Sequence, residues 1–86
     1  MHTVELLQEA IETAQKVGFT VRQDWLTGDG SGHCLVRGRK MLLLDMAQPA
    51  GEQLGAIREA LRGEIHLTDV DMSRELADTL DVRSVA

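Results

Sequence analysis

The sequence predicts an α+β domain: a three- to four-stranded, mainly antiparallel sheet in the order α-β-β-β-α-(β)-α, with the helices packed on the sheet. Three observations lead there. Met41, Leu42, Leu43 and Leu44 follow one another without a polar break, and alternation along a strand makes such a run apolar on both faces. Residues 4–17 and 54–61 carry apolar side chains at helical spacing. Phe19 to Leu26 alternates instead, with Phe19, Val21, Gln23 and Trp25 on one side.

The first helix is expected to be capped by Thr3, to carry Glu5 in its dipole-favoured first turn and to stop at Gly18. Val4, Leu7, Ile11, Ala14 and Val17 form its buried stripe, with Leu6 off centre. The strand from Phe19 to Leu26 follows, half-buried, with Trp25 as an anchor beneath the helix or as an exposed contact for a partner. Glycines 28, 30 and 32 then open a loop that leads into a second strand, His33 to Arg37, and a tight turn at Gly38–Arg39. Arg37, Arg39 and Lys40 make a basic hairpin tip.

The all-apolar strand ends at Asp45 and Met46. Pro49 fits the first turn of a second helix, whose Leu54, Ile57 and Leu61 face inward and which stops at Gly63. Residues 64–67 alternate and are a candidate fourth strand, joined to the third by a right-handed crossover. Asp71 or Ser73 starts a last helix carrying Met72, Leu76, Ala77 and Leu80, and residues 81–86 are expected to fray.

Composition bounds the function. At 86 residues, 1–86 is a single domain, and 43% apolar with 27% charged residues is the balance of a folded globular chain. A net charge of −5 and only two aromatic residues, Phe19 and Trp25, argue against nucleic acid as a partner, since phosphate neutralisation and base stacking both lack material. The basic tip is the one place where a nucleic-acid or ligand contact could be imagined, and it is more simply a solubilising, edge-protecting turn. The lone Cys34 excludes an internal disulfide and suits a reducing compartment. With neither a signal-peptide pattern nor an apolar run of about 20 residues, the expectation is a cytoplasmic protein with no membrane partner.

No motif specifies a chemistry. The glycines of TGDGSG precede a strand rather than a helix, and no G-K-[ST] follows, so the loop lacks the context of a phosphate cradle. His33 and Cys34, as strand neighbours, point to opposite faces and cannot share one metal ion; Cys34 reads as a small core residue, His33 and His66 as surface residues. Asp69 and Asp71 lack the glycine and glutamate of a calcium loop and read as helix-capping groups. Asp45, after four apolar residues, is either bonded to nearby backbone N–H groups or a functional group at the strand's carboxyl end.

A glycine-bearing hairpin, a strand ending in Asp and a proline-started helix resemble the front of small zinc metallopeptidases of the ImmA/IrrE type. Members of that family carry His-Glu-x-x-His on the helix after the sheet, whereas this helix reads LGAIREALRG. It has no histidine, so the resemblance implies no metal for Glu59 to serve and no catalytic position.

The expectation is therefore a small non-catalytic interaction domain without cofactor or metal, pairing with a second copy of itself or with another protein. About three short helices can hardly cover both faces of a sheet built on Met41–Leu44, and the uncovered face would bind. Candidate binding residues are Asp29, His33, Asp45 and Trp25. The alternative is a metal-dependent hydrolase-like site at the loop end of the hairpin, which requires Asp29, His33 and Asp45 to converge.

Overall fold

The structure, a computed structural model, describes residues 2–26, 30–64 and 67–82. Helix α1 (Thr3–Lys16) begins one residue earlier than its expected cap: His2 occupies the N-cap position and Thr3 is already helical. Its end follows the glycine rule closely. Gly18 has φ +100°, its N–H donates to the Gln15 carbonyl, and the N–H of Phe19 donates to Ala14, which is the Schellman arrangement with an apolar residue closing it. The buried side is Leu7, Ala10, Thr13 and Ala14, a stripe rotated from the expected one, since Val4 is 58% exposed and Ile11 and Val17 are half-buried. Thr13 is accommodated by donating its hydroxyl to the Glu9 carbonyl.

Strands β1 (Thr20–Asp24), β2 (Gly32–Val36) and β3 (Arg39–Asp45) form one sheet in the order β1-β3-β2. β2 and β3 are an antiparallel hairpin, but β1 lies parallel to β3. The sheet is therefore mixed, which corrects the mainly antiparallel expectation. Alternation specifies which face a residue occupies and says nothing of its neighbour strand. The glycine-rich segment is consequently no hairpin loop. Leu26 leaves β1 at the carboxyl end of β3, and Gly30 leads into β2 on the other side of that strand. The turn also sits one residue earlier than expected: Arg37 (φ +52°) and Gly38 (φ +78°) both take positive φ, the requirement of a two-residue type I′ hairpin turn.

The long apolar strand is central, as its composition demands, with β1 in place of a fourth strand at its side. Residues 65 and 66 lie outside the described residues, and Leu67–Asp69 is a 3-10 turn that buries Leu67. Helix α2 (Ala50–Leu61) buries Leu54, Ile57 and Leu61 as the spacing predicts, and Gln53 and Ala60 with them, while Pro49 stands at the N-cap, just before the first turn expected for it. Helix α3 (Arg74–Thr79) is capped by Ser73, whose hydroxyl accepts from the Leu76 N–H. Asp69 and Asp71 do not cap it. Asp81 and Val82 continue the structure beyond α3, Asp81 with φ +57° and Val82 packed on the core, which corrects the fraying expectation for those two residues.

Both α1 and α2 lie on one face of the sheet, and α3 packs against α1. Leu42 and Leu44 point to the helices and are fully buried together with Ile57, Leu61 and Leu76. The molecule is two layers thick, 15 Å along its short axis against 42 and 34 Å along the others. Met41 and Leu43 alternate to the other face, where no helix lies among the described residues, and they are half-buried.

Candidate functional site

Asp45 is fully buried at the end of β3, directly beneath the crossing segment. One carboxylate oxygen accepts from the N–H of Leu26 (3.1 Å) and of Ala47 (2.9 Å), and the other accepts from Gly30 (3.3 Å). Its own N–H donates to the Ser31 hydroxyl (2.8 Å), which in turn donates to Gln48 Oε1 (2.7 Å). A buried carboxylate is retained when donors surround it, and here the backbone supplies them. Asp45 thus latches the strand crossing and the start of the β3–α2 connection to the end of β3. Of the two readings of Asp45, the hydrogen-bonded one matches these contacts.

His33 is exposed and paired across the hairpin with Leu42, so it lies on the helix side of the sheet. Asp45 is three positions further along β3, hence on the opposite face. The two are not brought together, and Asp29 lies outside the described residues. Among the described residues, no three His, Cys, Asp or Glu side chains cluster so as to hold a metal ion. Among the described residues the hydrolase-like alternative has no pair of cooperating groups.

Trp25 is 75% exposed, which overturns the buried-anchor reading. β1 ends at Asp24, so Trp25 lies beyond the strand whose alternation would have set it on the face of Val21 and Gln23. Cys34 is likewise exposed rather than in the core, because its cross-strand partner is Met41 and both belong to the uncovered face. Nor is Lys40 part of a solvated tip. It shares the inner face with Phe19, sits 5.3 Å over that ring, and donates to the Val17 carbonyl (2.9 Å) and to Glu64 (2.8 Å), closing the end of the core.

What the structure does assemble is a surface. All five residues of β2 are exposed, with Leu35 at 71% and Val36 at 49%. Cys34 and Val36 continue across the uncovered face into Met41 and Leu43. Leu35 stands on the helix face, beside a groove between β2 and α2 lined by Phe19, His33, Ala60 and Gly63. The exposed edge character of Leu35 and Val36 was missed in the sequence; the signal for it is that Gly32–Val36 contains no charge at all. No helix among the described residues is long and apolar enough to cross a membrane. Comparison with protein-family models, with curated proteins and with solved structures finds no match, so shape and chemistry alone carry the functional reading.

Proposed function

We propose that this chain is a small non-catalytic association domain that pairs with a second copy of itself, acting in a reducing compartment such as the cytoplasm. The supporting observation is the open outer strand of a one-sided sheet: helices cover Leu42 and Leu44 completely, while β2 is exposed along its whole length, with Leu35 on the helix face and Cys34 and Val36 on the open one. Contiguous exposed apolar surface marks association sites, and a closed two-fold dimer is the commonest way to cover it. The exposed Cys34 is compatible with surroundings that keep thiols reduced. Gel filtration coupled to light scattering, with the protein in the tens of micromolar, is expected to return twice the chain mass of 9.5 kDa, falling towards one chain on dilution. A mass of 9.5 kDa throughout that range would overturn the proposal.

A further inference from the structure

We infer that the second copy joins along the free edge of β2, antiparallel about a two-fold axis at Cys34, turning two three-stranded sheets into one of six strands; this rests on the self-association proposed above. Three features of the edge lead to this geometry.

The first is backbone register. The two-residue turn makes Val36 and Arg39 a hydrogen-bonded pair, so by alternation His33 and Leu35 turn their N–H and C=O groups away from β3. In a two-fold pairing centred on Cys34, His33 of each copy lies opposite Leu35 of the other. Those two pairs exchange N–H···O=C bonds in full, and the two Cys34 residues face each other at the closely spaced non-hydrogen-bonded position between them.

The second is the contrast between the two sheet edges. β1 is guarded by the exposed Arg22 and the partly exposed Asp24, which are ion-paired at 3.4 Å. β2 has no charge, no proline and no bulge, the devices that normally keep an edge from pairing.

The third is charge. Antiparallel pairing brings the Arg37 end of one β2 beside residues 30–32 of the other copy. There a groove between the start of β2 and α2 is lined by Gly30, Gly32, His33, Glu52, Gly55 and Glu59. The cationic tip of each copy is thus placed against two carboxylates of the other, twice over by symmetry.

The test reads the edge and the cysteine separately. Diamide removes one hydrogen from each of two thiols and is itself reduced to the hydrazine; at the non-hydrogen-bonded position the Cα separation of about 4.5 Å suits a disulfide. Wild type is expected to cross-link through Cys34 rapidly and nearly completely, with far-UV circular dichroism unchanged. A Cys34→Ser, Thr20→Cys variant, with its thiol on the β1 edge, is expected to cross-link at least tenfold more slowly. Leu35→Pro removes an outward N–H without touching the β3 ladder, and Leu35→Lys places a charge on the same exposed edge. Each is expected to weaken dimerisation tenfold or more with the monomer still folded, and Leu35→Lys serves if the proline variant does not fold. A wild-type dimer that resists cross-linking at Cys34 and tolerates Leu35→Lys would overturn the edge geometry and leave self-association standing. A wild-type monomer would remove both.

Discussion

Single side chains at the two ends of β3 hold the layers together, and they do so in opposite ways. At the carboxyl end Asp45 is a buried acceptor surrounded by backbone donors. Asp45→Ala would remove the shared acceptor of the Leu26, Gly30 and Ala47 N–H groups and leave a void at a fully buried position, and since losing a charged acceptor costs about 1–3 kcal/mol, a loss of about 3 kcal/mol is expected in urea unfolding. Asp45→Asn keeps one acceptor oxygen and is expected to fall between that variant and wild type. At the amino end Lys40 bonds the Val17 carbonyl and Glu64, whose side chain is only 15% exposed. Lys40→Met keeps the apolar stem but leaves Glu64 without this partner, with an expected cost of about 2 kcal/mol by thermal or urea unfolding. Asp45 stood out in the sequence as a carboxylate after four apolar residues. Lys40 did not, because three consecutive-looking cations read as one solvated tip until the pairing of its strand with β1 brings Phe19 beneath it.

At the scale of elements, the legible features were those written in local chemistry. Gly18 ends α1, Ser73 caps α3, and the apolar residues of α2 and α3 fall where their spacing places them. Alternation along the apolar strand was legible, but not which side the helices would take: Leu42 and Leu44 go in, Met41 and Leu43 go out. Pairing was not, because the residues that bring β1 next to β3 are the backbone donors gathered by Asp45, and no periodicity encodes them. Trp25 was misread for the same reason, since its exposure depends on where β1 stops. The β2–β3 turn places Arg37 at φ +52°, where a side chain costs about 1 kcal/mol and asparagine is better tolerated. Arg37→Asn is therefore expected to raise the melting temperature by roughly 5 °C, measured dilute enough to keep the chain monomeric.

The molecule as a whole is a single layer of helices on a single sheet, and its consequences are those of one-sidedness. The core lies among the inner face of the sheet, α1, α2 and the segment ending in α3, and α3 is tethered to α1 by Glu9, which accepts from both the N–H (2.7 Å) and the hydroxyl (2.6 Å) of Ser73. Met41, Leu43, Cys34 and Val36 on the opposite face lie outside the buried core, so substitutions of Cys34 or Val36 at the β2 edge are expected to alter association with little effect on folding. Because the interface proposed for β2 juxtaposes Arg37 with Glu52 and Glu59, raising the salt concentration from low to physiological is expected to weaken the dimer while leaving the monomer's unfolding midpoint unchanged.

The strap over the end of β3 also orders events in time. Hairpin residues meet partners close by in the chain, whereas each β1 residue must find one 21 positions later, as Thr20 finds Met41. Closing the longer loop is the slower step, so the hairpin with α2 is expected to form the nucleus and β1 to dock last. Stopped-flow measurements on Asp45→Asn should then show a steeply accelerated unfolding limb with a refolding rate close to wild type, and equal shares in both limbs would place the latch in the nucleus instead.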